Sequence, residues 1–351
     1  MAVTNNPLQF GKAVDYSGSI NLIPNQWGLT QRLGLFVPKY GTQKTIMIAR
    51  TTEADHLMVD RNWDERNPTI SGGQKDWLTL PIPHYPVDDA ILPNDIDGVI
   101  DFDSLVQGGL QLETVEKKRV EKMNRIRRAH ATLLEMARLQ VLKNGTVYAP
   151  NGTVNINYYT EYGVSRQTIG LDLASTTVRP QVGIEKAIAA LQDGLQTGEI
   201  VTGFVALCSP TFFAALTSNA FVQEQYLYFA RGGQQDGLTI GRLTAGAPLD
   251  GRYRTFDYGG VLWIEVRGSV AGVPYVEEDE AYMFPLGTEN FETHFAPANR
   301  LSTVNTTALE SYYFEYINTK DDIIELMTET NFLNVLRRPD QVITLSVDAD
   351  E

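Results

Sequence analysis

Eight of the sixteen prolines of this 351-residue chain fall in its first 110 residues: Pro7, Pro24, Pro38, Pro68, Pro81, Pro83, Pro86 and Pro93. A proline inside a helix removes an amide donor and drives its ring into the preceding turn. No long 3.6-residue apolar period runs between these prolines, so helices are largely excluded from the N-terminal third. Short strands remain readable at 45–50 and at 77–82, where Leu78, Leu80 and Ile82 alternate with Trp77, Thr79 and Pro81. Between them, residues 60–76 carry the turn signals Asn67-Pro68 and Ser71-Gly72-Gly73 and mix Trp63 with Arg61, Asp64, Glu65 and Arg66. This pattern reads as the tip of a long two-stranded excursion. A projecting hairpin cannot bury both faces at home and is marginally stable alone, so it needs a neighbour; the alternative is a mobile surface loop. The residues expected to meet a neighbour are Ile46, Arg61, Trp63, Arg66, Trp77 and Leu80.

The pattern changes after the start signal Asp101-Phe102-Asp103-Ser104 and the Gly108-Gly109 break. Leu112, Val115, Met123, Ile126, Leu133, Leu134, Ala137 and Val141 recur at mostly helical spacings and stop at Asn144-Gly145. One helix over 112–143 is predicted, roughly 48 Å long at the standard rise per residue. Its centre is basic, with Lys117, Lys118, Arg119, Lys122, Arg125, Arg127 and Arg128. A nucleic-acid contact is one reading. Interleaved Glu113, Glu116, Glu121 and Glu135 favour a solvated, ion-paired face instead.

A hairpin is expected at 146–149 and 154–159, around Pro150-Asn151-Gly152. From about Val182 the chain reads as a separate α/β unit. Ile184, Ile188, Leu191 and Leu195 mark an amphipathic helix, 204–208 an apolar strand, and Ser209-Pro210 a helix start. Strands follow at 261–266 and 281–284, and β patterning returns in Tyr312, Phe314 and Tyr316, in 333–336 and in 342–347.

Chemistry is harder to find. There is no phosphate-cradling GxxxxGK[ST], no GxGxxG after a strand, no HExxH, no GxSxG and no EF-hand loop. His56, His84, His130 and His294 are scattered without a partner at ligand spacing, and Cys208 is the single cysteine. Cys208 closes an apolar strand, where it behaves as a small hydrophobe. The run Glu277-Glu278-Asp279-Glu280 lacks the alternate oxygens and glycine of a calcium loop and reads as a solvated turn. The glycines from Gly232 to Gly246 precede no lysine suited to a phosphate. No metal, cofactor or catalytic residue is therefore assigned, and the chain is not expected to be an enzyme. With 43 acidic against 29 basic residues the net charge is −14. Such a chain is repelled by phosphate backbones, which suits either a wall that encloses nucleic acid without gripping it or ordinary solubility. No stretch is long and apolar enough to span a membrane, and no secretory signal opens the chain.

Order and local motifs together resemble the E-type family of tailed-bacteriophage major capsid proteins, typified by the phage lambda head protein. Tyr258-Gly259-Gly260-Val261-Leu262-Trp263-Ile264-Glu265-Val266 resembles its glycine-bounded strand, and Val276 through Gly287 its acidic turn and following strand. Phe295-Ala296-Pro297-Ala298-Asn299 is similar to the next loop, and Asn331-Phe332-Leu333 through Arg338-Pro339-Asp340-Gln341-Val342 to the closing strands. The resemblance implies an α+β chain of the HK97-type capsid fold. Its expected parts are an N-terminal arm (1–44), an extended loop with flanking strands (45–100), and a peripheral domain with a long spine helix (101–181). An axial α/β domain (182–295) and C-terminal strands returning to the peripheral domain (296–351) complete it.

The family further implies self-association as hexamers and pentamers in an icosahedral virion head, with scaffold, portal and decoration proteins as partners. Such a head encloses double-stranded DNA without sequence-specific binding and is assembled in the bacterial host cytoplasm, with no membrane contact. Two other readings stand beside it: a cellular nanocompartment shell of the same fold, and an acidic soluble enzyme whose site forms only in three dimensions.

Overall fold

The computed structural model describes residues 14–22, 28–52, 74–97, 114–195, 199–231, 241–242, 253–270, 272–318 and 323–348. The N-terminal stretch holds β1 (Val14–Asp15), α1 (Ser17–Leu22), α2 (Leu29–Arg32) and β2 (Val37–Tyr40). The two helices have six and four residues, so the proline spacing limits helix length here without forbidding helix. Next come β3 (Thr45–Thr52) and β4 (Gln74–Pro81), which pair only with each other, and β5 (His84–Ile91).

The long helix α3 spans Val115–Asn144, 30 residues or roughly 45 Å. It starts three residues later than its apolar pattern suggests, because Thr114 caps it by accepting a hydrogen bond from the Lys117 N–H at 3.3 Å. The start signal at 101–104 lies outside the described residues. Gly145 ends the helix in the left-handed region (φ 64), where a Cβ would run into the Tyr159 ring.

The hairpin expected at 146–159 does not form. Gly152 makes the turn, but pairing stops at one bridge between Thr146 and Asn157. The Asn157 side chain accepts from the Tyr159 N–H at 3.0 Å and caps α4 (Tyr158–Tyr162) instead. An N-cap oxygen here outcompetes strand pairing.

The remaining elements are β6 (Gln167–Gly170), α5 (Pro180–Asp193), β7 (Gly203–Cys208), α6 (Pro210–Ser218), α7 (Ala220–Arg231), β8 (Gly241–Arg242), β9 (Arg254–Tyr258) and β10 (Val261–Glu265). They are followed by β11 (Ser269–Val270), β12 (Val273–Pro274), β13 (Glu280–Leu286), β14 (Phe291–Phe295), β15 (Tyr312–Asn318), β16 (Ile323–Leu336) and β17 (Ile343–Ser346). Ser209 caps α6 as its Ser-Pro pair predicts, accepting from the Phe212 N–H at 3.2 Å.

Two sheets organise these elements. One has the order β1-β15-β16-β14-β2, with β5 also paired to β16 over eight residues. The other runs β6-β17-β13-β7-β10-β9-β8, with β7 and β10 parallel at its centre. The expected boundaries at 182, 295 and 296 do not follow the sheets. β6 lies before residue 182 and β17 after 296, yet both belong to the seven-stranded sheet, where Ile343 faces Met283 on one side and Gln167 on the other. β14, placed by sequence in the axial unit, pairs instead with β16. Ile343 and Leu345 are fully buried there, and that burial decides where the last strand goes.

One apolar core spans both sheets. Leu139 and Leu142 of α3 share it with Val205 and Leu207 of β7, Leu333 and Val335 of β16, and Ile48 and Leu80 of the hairpin. A second core lies where α5 and α6 cover the other face of the seven-stranded sheet, around Trp263, Phe212 and Ile184.

Candidate subunit-contact surfaces

The β3–β4 ribbon has two unlike faces, and its register explains them. Ile46 stands opposite Leu80 and Ile48 opposite Leu78, so these four share one face. Ile48 and Leu80 are buried in the first core, with Ile46 and Leu78 packed against it. Met47, opposite Thr79, and Trp77, opposite Ala49, stand on the other face. They are 70% and 64% exposed, large apolar side chains left largely uncovered by the described residues.

Of the six sequence candidates, Trp77 is exposed and Ile46 is half-buried at the base of the ribbon. Leu80 has to be corrected. It is 2% exposed and buried in the core of its own chain, because alternation puts it on the face opposite Trp77. Arg61, Trp63 and Arg66 lie outside the described residues. Met47 is not among the sequence candidates; it shares Trp77's face through the register that sets it opposite Thr79.

The stretch expected to be an N-terminal arm is tied at several described positions to the rest of its own chain. Ser17 Oγ accepts from the Tyr313 N–H at 3.1 Å, and Asn21 Nδ2 donates to the Ser311 carbonyl at 2.8 Å. Glu135 of α3 accepts from Thr30, and the Arg138 guanidinium lies 5.3 Å from the centre of the Phe36 ring. Arg138 is itself buried, donating to Thr293 Oγ1, which donates onward to Asn334 at 2.8 Å. Lys39 reaches Glu292 at 2.6 Å. Leu22 (84%), Val37 and Tyr40 are left exposed along this stretch.

The cations of α3 are largely used within the chain, as the ion-paired reading expects, but mostly across elements rather than along the helix. Arg119 meets Glu315 at 2.7 Å and also pairs with Glu116, Lys122 meets Asp89 and Asp95 at 3.1 and 3.3 Å, and Arg127 meets Glu310 at 2.7 Å. Lys118 pairs with Glu121 along the helix, and Lys143 with Glu277 of the acidic turn. Arg125 and Arg128 are exposed.

Several buried groups carry displaced proton equilibria. Burial opposes ionisation of Glu292, but His294, Lys39 and Arg337 overcome it and hold its pKa at about 2. Burial, with Arg127 adjacent, pushes His130 down to about 4. The remaining candidates for chemistry are structural: Cys208 is fully buried, its thiol pKa raised by that burial, and the described residues hold no cluster of His, Cys, Asp and Glu able to bind a metal. His84 is held by Asn331 and Glu329; His56 and residues 232–240 lie outside the described set.

The described residues thus combine two sheets braced by one long helix with a ribbon whose outer face carries exposed apolar side chains, and they hold no metal-ligating cluster. The fold is that of a prophage protein of E. coli CFT073 described as a capsid protein, with a TM-score of 0.60 at 15% identity over 96% of this chain and 99% of the other. The chain belongs to the family of phage major capsid protein E, which matches residues 13–347. It is 38% identical to the major capsid protein of Pseudomonas phage KPP10 over 341 residues, covering 94% of this chain and 95% of that one. It is 26% identical to the major capsid protein of Salmonella phage Felix O1 over 359 residues, covering 95% and 96%. The fold is α+β and of the HK97 type, and the chain is a major capsid protein of a tailed phage. The family also favours a phage head over a cellular nanocompartment.

Proposed function

We propose that copies of this chain close into pentamers and hexamers of an icosahedral head, and that the outer face of the β3–β4 ribbon is completed by a neighbouring copy. The supporting observation is the exposure of Met47 and Trp77 on a ribbon whose opposite face is already packed at home. Each such contact is weak, but repetition around a closed shell sums them. Ile46, half-buried on the opposite face, and Arg61, Trp63 and Arg66, which lie outside the described residues, are kept as further candidates for contact with a neighbour. The net charge of −14 suits a wall that holds double-stranded DNA without binding its sequence. In this reading the protein catalyses nothing and assembles in the host cytoplasm with separate scaffold, portal and decoration chains.

Negative-stain microscopy of the expressed chain tests this. Shells are expected from the full chain. A chain lacking residues 60–73 should fold, with native circular dichroism, but yield no closed particles. Shells of normal size from the shortened chain would overturn the part given to residues 60–73.

A further inference from the structure

At the foot of the ribbon, where β3 begins and β4 ends, lies a pocket of about 150 Å³ lined by Lys44, His84, Pro297, Asn299 and Asn331, among others. That volume accommodates a benzene-sized group. Its polar atoms have fixed roles. Asn331 Nδ2 donates to the Pro297 carbonyl at 3.3 Å and to Glu329 at 3.2 Å, so its Oδ1, 2.7 Å from His84 Nδ1, is the acceptor. His84 Nδ1 therefore carries the proton, and Glu329 lies 3.2 Å from the same nitrogen. Glu329 also accepts from the Asn299 N–H at 3.1 Å.

Lys44 is placed differently. Its ammonium donates to Asn299 Oδ1 at 2.6 Å and meets no carboxylate among the described residues. Accepting through Oδ1 orients the Asn299 amide so that both Nδ2 hydrogens are left to give. One unneutralised ammonium and one primary amide thus share the rim of a pocket sized for a small group. They match a single negative charge with two oxygens.

We propose that this pocket receives an Asp or Glu carboxylate from a second copy of the chain, a contact that rests on the shell-assembly reading above. The charge balance selects a carboxylate over a phosphate. The Glu329 carboxylate, 7% exposed beneath His84 and Asn331, repels a dianion at close range, whereas one ammonium matches a singly charged group. The net charge of −14 supplies carboxylates on every neighbouring copy. The uncovered face carrying Trp77 begins about 13 Å along β4 from the pocket, at the strand rise per residue, so one neighbour can cover both.

Zero-length carbodiimide coupling, which joins an amine to a carboxylate in direct contact, tests the contact. Shells are assembled from a mixture of isotope-labelled and unlabelled chains, coupled, digested and analysed by mass spectrometry. The expected product links a Lys44 peptide of one label to an Asp or Glu peptide of the other, in shells and not in unassembled chains. Lys44→Glu is expected to lower shell yield by roughly tenfold or more, with Lys44→Gln intermediate and both variants folded by circular dichroism. Shells that form normally but give Lys44 products only within one label, or none, overturn the pocket contact and leave the shell reading standing. Absence of shells from the unmodified chain removes both.

Discussion

The carboxylate of Glu135, buried on α3, accepts two hydrogen bonds from one residue of the N-terminal stretch: the Thr30 N–H at 2.9 Å and the Thr30 hydroxyl at 2.5 Å. Gly28 makes this approach possible. Its φ of 118 is open to glycine, and a Cβ there would lie 2.8 Å from Glu135 Oε2. A stretch whose composition suggests a loose arm is thereby locked to the long helix.

Glu135→Ala leaves two buried donors of Thr30 without partners. The expected loss is about 2–4 kcal/mol of stability, read from chemical denaturation. Amide exchange should quicken over residues 28–36 before the rest of the fold. Gly28→Ala should give the same local signature. Uniform exchange across the chain would show that Glu135 does not hold this segment.

Acid should weaken the fold in two windows. His130 titrates near 4 in the folded chain against an ordinary 6.5, so its stabilising neutral form is fully present above about pH 6.5 and lost as pH falls toward 4. Arg127, beside it on the same helix, opposes the added charge, while Ser311 Oγ lies 3.1 Å from Nδ1. Glu292, held at about 2 against 4.5, contributes above pH 4.5 and is lost as pH falls toward 2. Denaturation midpoints followed from pH 7 to 3 should therefore fall continuously, by roughly 3 kcal/mol across the first window. His130→Gln should flatten that first window and leave the second. An unchanged slope in the variant would refute the assignment.

The sequence made some of this legible through strictly local signals. Gly145 and the Ser209-Pro210 pair marked helix ends because capping is chemistry between neighbours along the chain. Alternation placed β4, whereas the interleaved acids of α3 account for only two of its ion pairs, the others reaching across to distant elements. What could not be read was long-range. Whether Leu80 or Trp77 faces the core depends on the register with β3 and on where α3 packs, and neither is encoded within β4. β17 joins the seven-stranded sheet through partners more than fifty and more than a hundred and seventy residues upstream, in β13 and β6. Ser17, Asn21, Thr30 and Lys39 are held by Tyr313, Ser311, Glu135 and Glu292, none of them close in sequence. The ribbon's strands were legible in their alternation; which side it leaves exposed came only from the fold.

The claim that the outer face of that ribbon joins subunits is tested most directly by sedimentation velocity on the unmodified chain and on Met47→Ser/Trp77→Ser. Covering the exposed part of Trp77 alone is worth about 2–4 kcal/mol per contact. The double variant should keep the thermal midpoint of the unassembled chain within about 1 kcal/mol of its stability, since surface changes are usually small. It should sediment as small species where the unmodified chain sediments as shells. Shells from the double variant in undiminished yield would contradict the account.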